Sequence, residues 1–494
     1  MSGENIVGKA LLEGQLVLLS PLLIGDGASA HENGEQDICV LRTGAGMPLL
    51  PGTSLIRRPV QHQGSHELAG MPLLPGTSLI GAMRELLAAQ YPDKVADIFG
   101  ELDKEQSTIC ASDITFPADS AITMRNGVSI DQNLGTAIPH KRYDYEALDR
   151  GAKALLPLRL EFTLRGIHTD DPSRFETASI REDILEVLAF LRDKLASGIH
   201  LGANTAKGFG HIQLRDARLG LFDFRDRTAA KAWFLRPRPT AADAPIQLAG
   251  SSSLALKNPA DFIVTADFSL RSSILVRNYQ VIDGHSIATM TKSGRDAVIP
   301  GTTIKGVLRH RAHVIAAACG RSGDWLDRLM GTADNKQAAA SEAAEGRVKS
   351  RFIVDECYLS LAKDSGLIER EITRNRIDRF TGGTIDGSLF RTQPLYQSKP
   401  DKATVSLHFA IRSASAAEAG LALFLLKDLW QGQLPLGGEA GVGRGTLKGI
   451  HAKISYQGAN YEMNKNGQIT TGDPQKLEAC AAALNDTAEK EANT

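Results

Sequence analysis

The sequence predicts an α+β fold built from two tandem modules of ferredoxin-like or RNA-recognition type. The first observation is a set of landmarks that occurs twice, in the same order, along the 494 residues. The second is that each set runs strand, helix, strands, helix, strand. The third is a composition typical of folded domains, with 42% hydrophobic and 23% charged residues.

The repeat is most apparent when its landmarks are set in pairs. These are PGTSLIGAMREL from Pro75 with PGTTIKGVLRHR from Pro300, short strands with Asp113 and Asp355, Ile-Asp pairs ending at Asp131 and Asp378, LEF from Leu160 with LHF from Leu407, and LGANTAKGFGHI from Leu201 with LGGEAGVGRGTL from Leu436. Ordered matches at similar offsets are hard to obtain by chance, so we interpret the chain as a tandem duplication.

Local patterns predict the elements of each half. Alternating apolar stretches, QLVLLSPLLIG from Gln15 and DFIVTADFSLRSSILV from Asp261, are typical of strands. Each Pro-Gly-Thr is expected to open an amphipathic helix, with Thr as its cap. A short alternating strand follows each glycine-rich turn. The segment from Asp473 to Thr494 is predicted as one polar helix.

The predicted domains are 1–235 and 259–460, with a linker at 236–258 and a C-terminal tail at 461–494. The stretch 236–253 is rich in Pro, Ala and Ser, which favours a linker; a long surface loop within one domain is the alternative. GMPLLPGTSLI occurs identically at 46–56 and 70–80, and we interpret 46–70 as a duplicated, inserted loop.

Composition limits the function classes. The five cysteines form no CxxC pair, which argues against a cysteine zinc site and suits a reducing cytoplasm. The N-terminus has no signal-peptide pattern, and no apolar run has the length of a membrane span, so a cytoplasmic protein without a membrane partner is expected. A net charge of −1 argues against a generic polyanion binder, so any nucleic acid must use local patches.

The PGTxxKG helix, the IDRxTGG segment and the closing GxGRG turn together resemble the CRISPR-associated RAMP superfamily. In particular they resemble the type III backbone subunits that polymerise along a guide RNA (crRNA). The resemblance covers roughly 12–215 and 260–456, and a fused pair resembles type III-D-like systems. It implies two RAMP domains, each with a β-hairpin thumb and a glycine-rich loop. The implied partners are crRNA, a complementary single-stranded target RNA, other backbone subunits and a large subunit.

The resemblance also implies RNA-binding residues. At the N-terminus of the Pro-Gly helix they are Lys305, Arg309 and Arg311, with Arg84 as the first-half counterpart. In the glycine-rich turns they are Gly443, Arg444, Gly445 and Lys207. A solvated basic helix face and an ordinary tight turn are the alternatives.

The second thumb is placed at 374–399 and the first at 128–157. Arg374, Arg376, Arg379 and Phe380 are expected near the base of the second thumb, and Leu389 and Phe390 as wedges that displace a base pair; Asp131 and Asp378 mark the two thumbs. An ordinary hairpin is the alternative.

Related cleaving subunits place an Asp in a loop shortly before the Pro-Gly helix. In IGDGASAHENGEQDICV the best match is Asp37, followed by Asp26. In the second half equal spacing falls on Ser286, and Asp283 lies close by. Such a carboxylate holds Mg²⁺ or another divalent cation, or orients a ribose 2′-hydroxyl. A loop Asp that only forms a turn is the plain alternative.

Four functions remain open at this point. The first is a guide-directed endoribonuclease subunit, and the second is a non-catalytic guide-binding scaffold in one or both domains. The third is a guide-processing RAMP enzyme that uses a His. The fourth is a pair of α+β domains unrelated to RNA. Replacing Asp37 and Asp283 discriminates between the first two.

Overall fold

The computed structural model describes residues 6–24, 40–42, 71–101, 106–130, 137–166, 180–252, 254, 261–282, 285–332 and 348–485. The chain divides into two compact units. The first comprises 1–125, 143–205 and 209–257, and the second comprises 126–142, 206–208 and 258–494. The inserted loop predicted at 46–70 lies outside the described residues.

The first half of the chain has a ferredoxin-like sheet. Its strands are β1 (Ile6–Leu18), β2 (Leu73–Leu74), β3 (Ile109–Ala111), β4 (Ile114–Thr115), β5 (Ile122–Ile130), β6 (Ala137–Leu148), β7 (Leu158–Arg165), β8 (Ile199–His200), β9 (His211–Asp223) and β10 (Ile246–Gln247), and its helices are α1 (Gly76–Gln90), α2 (Val95–Phe99), α3 (Glu182–Ser197) and α4 (Arg227–Phe234). The main sheet has the antiparallel order β10-β9-β1-β7-β3, with β8 beside β9. Within it, β9-β1-β7-β3 is the order of a β-α-β-β-α-β module.

The second half repeats this topology. Its strands are β11 (Phe262–Leu270), β12 (Ser273–Ile274), β13 (Arg277–Ile282), β14 (His285–Met290), β15 (Lys292–Ser293), β16 (Asp296–Ile299), β17 (Phe352–Val354), β18 (Cys357–Leu359), β19 (Leu367–Glu369), β20 (Ile372–Arg374), β21 (Phe390–Gln393), β22 (Leu395–Gln397), β23 (Val405–Ile411), β24 (Leu447–Tyr456), β25 (Ala459–Met463) and β26 (Ile469–Thr471), and its helices are α5 (Gly301–Ala318), α6 (Gly323–Met330), α7 (Ala416–Trp430) and α8 (Pro474–Ala483). The main sheet runs β17-β23-β11-β24-β25-β26. The predicted α+β class with two ferredoxin-like modules is confirmed.

Alternation along the strands builds each core. On β11, Phe262, Val264, Ala266 and Phe268 are fully buried, while the intervening side chains are exposed or half-buried. This period-two pattern turns one face of the sheet toward the helices. Helix α7 is apolar on nearly every side and begins with a capping box in which the Ser415 side chain accepts from the backbone N–H of Glu418. The sheets and their helices therefore form the main core of each unit.

Part of the predicted linker at 236–258 forms regular structure. A 3-10 turn spans Ala241–Asp243, and β10 pairs with β9 at Ile246↔Leu221. A small second core of Leu11, Phe222, Ala241 and Ala244 lies beneath this segment. The chain thus remains attached to the first unit's sheet beyond the predicted boundary at residue 235.

The helix caps differ from the prediction. Helices α1 and α5 begin at Gly76 and Gly301, with a proline rather than a threonine at each N-cap and no side-chain cap bond. The backbone N–H of Gly76 donates instead to Oδ1 of Asp113, 2.9 Å away. Helix α8 ends at Ala483, and 486–494 lie outside the described residues. No described helix has the length and apolarity to cross a membrane.

Candidate nucleic-acid interface

The two glycine-rich turns have the same backbone conformation. Four paired positions have positive φ: Gly202 and Gly437 (82° and 89°), Asn204 and Glu439 (both 59°), Gly208 and Gly443 (86° and 82°), and Gly210 and Gly445 (72° and 74°). Each turn closes with one bond, from the N–H of Leu201 to the carbonyl of Gly210 and from Leu436 to Gly445, both 3.0 Å. The duplication inferred from the sequence repeat is therefore also present in the backbone geometry of the two turns.

Each turn is hydrogen-bonded to a short segment, 21–24 in the first unit and 273–276 in the second, which we call the junction segments. In the first, Gly210 donates to Pro21 at 2.7 Å and Ala203 to Leu23 at 2.9 Å. In the second, Gly445 donates to Ser273 at 2.7 Å and Gly438 to Leu275 at 2.8 Å. Equivalent bonds thus attach each turn to the segment that follows the first strand of its sheet.

The opposite edge of each junction segment pairs with the strand that returns from a hairpin. Leu22 exchanges two backbone bonds with Leu148 at the end of β6, at 2.8 and 2.9 Å. Ile274 of β12 pairs with Leu395 of β22, just after β21. Each junction segment therefore joins a glycine-rich turn to the base of a hairpin, and both elements that the resemblance assigns to RNA meet there.

The candidate catalytic loop of the first unit begins at its junction segment, and that of the second unit follows the next strand. Residues 25–39 follow the first junction segment in sequence. The N–H of Leu41 donates to the carbonyl of Ile24 at 3.0 Å, so the residues that flank this loop are hydrogen-bonded to each other. Asp26 and Asp37 lie within it, outside the described residues. In the second unit β13 and β14 form a hairpin with Ile282 opposite His285. Asp283 lies between these strands, also outside the described residues.

An ion cluster ties the second turn to its hairpin. The Glu439 carboxylate accepts from Nε of Arg444 at 2.7 Å and from Nη2 of Arg374 at 2.8 Å, and lies 3.6 Å from Arg277. Arg444 also donates to Ser273 at 2.9 Å and is only 5% exposed. Burial raises the pKa of Glu439, but hydrogen bonds from Arg444 and Arg374 outweigh it, so the pKa lies below its usual value. Arg444 therefore holds the turn together from inside, and Arg374 anchors the hairpin to it.

The second hairpin is ordered to its tip. Strands β20 and β21 pair from Ile372↔Thr392 to Arg374↔Phe390, and an isolated bridge joins Ile377 to Thr384. Beyond that bridge, Oδ1 of Asp378 accepts from the N–H groups of Phe380 and Thr381 at 2.7 and 3.0 Å. Because these bonds favour the charged form, the pKa of Asp378 is below its usual range.

The structure exchanges the residues predicted for the base of the second hairpin with those predicted to act as its wedge. Phe380 and Arg379 lie in the tip turn rather than near the base, whereas Phe390 lies at the base, opposite Arg374. The Phe380 side chain is 100% exposed, against 65% for Leu389 and 46% for Phe390. The Asx turn at Asp378 was the signal that would have identified the tip.

The first hairpin consists of β5 and β6, which form a two-stranded sheet. Its predicted range, 128–157, includes the end of β5 and all of β6. Asp131, which marks this thumb, lies outside what the structure describes.

The basic residues of α5 have internal partners. Lys305 is buried and donates to Oγ of Ser350 at 2.7 Å and to the carbonyl of Phe352 at 2.9 Å. Burial lowers the pKa of Lys305 to about 7. Arg309 pairs with Asp327 and Arg311 with Asp428, both at 2.6 Å. These contacts fasten α5 to neighbouring elements, so a phosphate role for these three residues remains a prediction without support from their geometry.

The other predicted contacts lie nearer the surface. Arg84 of α1, Arg376, Arg379 and Gly443 are exposed, and Lys207 is half-buried. Gly445 is buried. Among the described residues, no group of three or more His, Cys, Asp or Glu side chains is placed to hold a metal ion. The carboxylates that the resemblance assigns to Mg²⁺ lie outside the described residues.

Comparison with known families places these observations in context. The family described as the RAMP superfamily matches the chain over residues 62–213 and 269–448. The two matched regions fall on the two halves of the repeat and together span more than half of the chain. No curated protein matches the chain.

Proposed function

The chain belongs to the RAMP superfamily, and from that premise we propose that it is a backbone subunit of a type III CRISPR effector complex that holds crRNA. Membership supports a CRISPR-associated, RNA-binding role. The finer proposal is that each half of the repeat grips one stretch of guide and lays its hairpin over the guide–target duplex. Sequence selection then comes from base pairing, while the protein contacts backbone and shape.

The observation that carries the proposal is the pair of junction segments. In both units a glycine-rich turn and a hairpin base meet at four residues of chain. The candidate Asp loop of the first unit also begins there, whereas Asp283 of the second unit follows β13, the next strand along the chain. In the second turn the exposed rim at Gly441 and Gly443 has open space where a side chain would project, which suits close approach by an RNA backbone. We propose that this complex is type III-D-like and cytoplasmic. Its other members are further backbone subunits and a large subunit.

We further propose that the chain cuts the paired target RNA, with Asp37 as the first candidate in one unit and Asp283 in the other. A carboxylate in these loops accepts the proton of a ribose 2′-hydroxyl while O2′ attacks the adjacent phosphorus. The P–O5′ bond breaks and O5′ gains a proton, which leaves a 2′,3′-cyclic phosphate and a 5′-hydroxyl. Mg²⁺, which the family resemblance implies, would supply charge stabilisation when bound.

The test is cleavage of an end-labelled RNA complementary to the guide by the assembled complex in Mg²⁺. We compare wild type with Asp37→Ala and Asp283→Ala, and measure target binding separately. The expected result is that each substitution removes one discrete cut by at least about 100-fold, the range of a general base, while target affinity is unchanged. Asp26→Ala, in the same loop as Asp37, tests the second candidate of the first unit.

Other results identify the alternatives. Cuts that persist in both variants refute these assignments and favour a guide-binding scaffold. A chain that fails to bind crRNA at all refutes the backbone proposal itself.

The tip of the second hairpin carries a further prediction. Because the Phe380 ring is fully exposed on a turn fixed by Asp378, we expect it to fill the gap left by a displaced base pair. Phe380→Ala should weaken target binding roughly tenfold, since stacking on an aromatic ring contributes ~1–3 kcal/mol, and leave crRNA binding unchanged. A 2-aminopurine placed at successive target positions measures the displaced base by its fluorescence.

Leu389→Ala is the matched control, because Leu389 is also exposed but lies at the hairpin base. If Leu389→Ala lowers the fluorescence and Phe380→Ala does not, the wedge is at the base, as the sequence first indicated.

A further inference from the structure

Helix α4 lies between the two regions that match the RAMP family, after residue 213 and before residue 269. Its inner face is fixed to the first unit. Ala229 is buried, and the Trp233 ring packs edge-on against Phe222 with centroids 5.1 Å apart. At its start, Asp226 accepts from the N–H groups of Thr228 and Ala229 at 2.9 and 3.3 Å. The second half continues differently after its last common strand, with the hairpin β25–β26.

The outer face of α4 presents cations followed by apolar side chains. Arg227, Lys231, Phe234 and Leu235 stand at i, i+4, i+7 and i+8, positions that share one side of a helix. All four are exposed, Phe234 by 68% and Leu235 by 75%. Exposed aromatic and leucine side chains beside cations on one face are unusual for a solvated surface and indicate a ligand.

The charges on this face are not compensated locally. Residues 225–238 contain five Lys or Arg and one acidic residue, although the whole chain has a net charge of −1. Arg225 pairs with Asp223, and Arg236 pairs with Asp243. Arg227, Lys231 and Arg238 form no ion pair with any residue that the structure describes. Three cations therefore remain available to an anionic partner.

The Phe234 ring is supported on one side and exposed on the other, so a base can stack on it. One side of its ring rests against Phe224, with centroids 4.9 Å apart and an interplanar angle of 41°. The rest of the ring is open to solvent, so a base can stack on it without the side chain losing much freedom on binding. Cβ atoms of residues at i and i+4 are about 6 Å apart, so Arg227 and Lys231 can contact two phosphates of one strand.

We propose that the outer face of α4, formed by Arg227, Lys231, Phe234 and Leu235, is a second binding surface for single-stranded RNA. Arg227 and Lys231 contact phosphates and Phe234 stacks a base. This surface rests on the RNA-binding role proposed above but lies outside both repeats, so it binds a stretch of RNA other than the one held at the junction segments. An acidic protein partner is the competing occupant.

The experiment uses the full chain and a fluorescein-labelled single-stranded RNA, followed by anisotropy across a KCl series. Because each phosphate contact on a single strand contributes about 0.7 to the slope of log K against log salt, Arg227→Gln/Lys231→Gln should lower that slope by about 1.4. Phe234→Ala should weaken binding roughly tenfold with the slope unchanged. With 4-thiouridine RNA, ultraviolet cross-linking should label the peptide that contains Phe234.

Two control variants match these changes. Lys465→Gln/Lys476→Gln removes the same charge from exposed positions of the second half, and Ile368→Ala removes an exposed apolar side chain outside both hairpins and both glycine-rich turns. Neither should change affinity or slope.

The outcomes separate this proposal from the function proposed above. Wild-type chain that binds no RNA contradicts both. Binding in which the α4 variants match wild type, with no cross-link at Phe234, refutes only the α4 surface. Variants that bind RNA normally but fail to enter the assembled complex overturn the RNA surface in favour of an acidic protein partner.

Discussion

Gly445→Ala is expected to destabilise the second unit by about 3 kcal/mol or more. An L-residue at φ 74° costs ~1–2 kcal/mol. A Cβ at this position would also lie 1.9 Å from the carbonyl oxygen of Leu436, and overpacking of this kind adds ~1–3 kcal/mol. The same carbonyl belongs to the residue whose N–H closes the turn, so the added methyl must open it.

The matched control lies two residues earlier. Gly443 has φ 82°, but a Cβ there meets no atom within 4 Å. Gly443→Ala should therefore cost only the ~1–2 kcal/mol of the left-handed conformation. The difference between the two variants isolates the close approach at Gly445 from the shared backbone strain.

Fluorescence can follow the second unit alone. The chain has three tryptophans, and in a Trp233→Phe background the signal comes from Trp325 and Trp430. Thermal unfolding should then show a fall of about 10 °C for Gly445→Ala and a few degrees for Gly443→Ala, at ~2–4 °C per kcal/mol for a unit of this size. If the unfolding temperatures of the two variants fall equally, the close approach of Gly445 to Leu436 adds no free energy beyond the backbone strain.

The sheets and their order could be predicted because they follow from local alternation and from the repeat. Phe262 to Phe268 alternate in the sequence and are buried alternately in the structure. The glycines of the closing turns could be predicted for a similar reason, because a left-handed backbone strongly favours glycine. Both features depend on residues close together in the sequence, and such local patterns can be recognised without the structure.

The misplaced site residues depend on tertiary contacts instead. Lys305 stands on the first turns of a helix, which suggested a phosphate contact, but its ammonium reaches Ser350 and the carbonyl of Phe352 from a distant part of the chain. The cap at Gly76 likewise comes from Asp113, on another element. Spacing along the chain cannot show whether a cation points to solvent or to a buried carbonyl.

The aromatic stacking face at α4 was missed for a different reason. Helix α4 falls at the end of the predicted first domain, just before the linker that starts at residue 236, and none of the repeated motifs marks it. Only the packing of Trp233 and Ala229 against the sheet shows which side of the helix faces outward.

Glu439→Asn is expected to release the second hairpin from its turn and to destabilise the unit by about 2 kcal/mol. Asn204 occupies the equivalent position of the first unit with the same φ of 59°, so the backbone tolerates the substitution. Arg444, however, is left nearly buried with only neutral partners. Removing one member of a buried pair costs ~3–5 kcal/mol, and the partial exposure of Arg374 and Arg277 reduces this.

The pH dependence of this effect follows from the direction of the pKa shift. The pKa of Glu439 in the folded chain lies below its usual value of 4.5. Its contribution is therefore fully present above that value and is lost as the pH falls through the folded pKa. The difference in free energy of unfolding between wild type and Glu439→Asn should be constant at neutral pH and shrink below about pH 4.5.

Two measurements separate a local link from general destabilisation. Hydrogen exchange should accelerate most in β20, β21 and the glycine-rich turn, beyond the smaller increase that the loss of global stability produces in the core amides of β11. Glu371→Asn, which breaks the exposed 3.6 Å pair with Arg391, should change stability by less than about 1 kcal/mol.

A double-mutant cycle with Arg374→Gln completes the test. Coupling of about 1 kcal/mol or more between Glu439 and Arg374 would show that the hairpin base and the glycine-rich turn move as one element. Additive effects would mean that Glu439 stabilises only the turn, through Arg444. In that case the hairpin's orientation toward RNA depends on its strand pairing with β14 and on nothing in the turn.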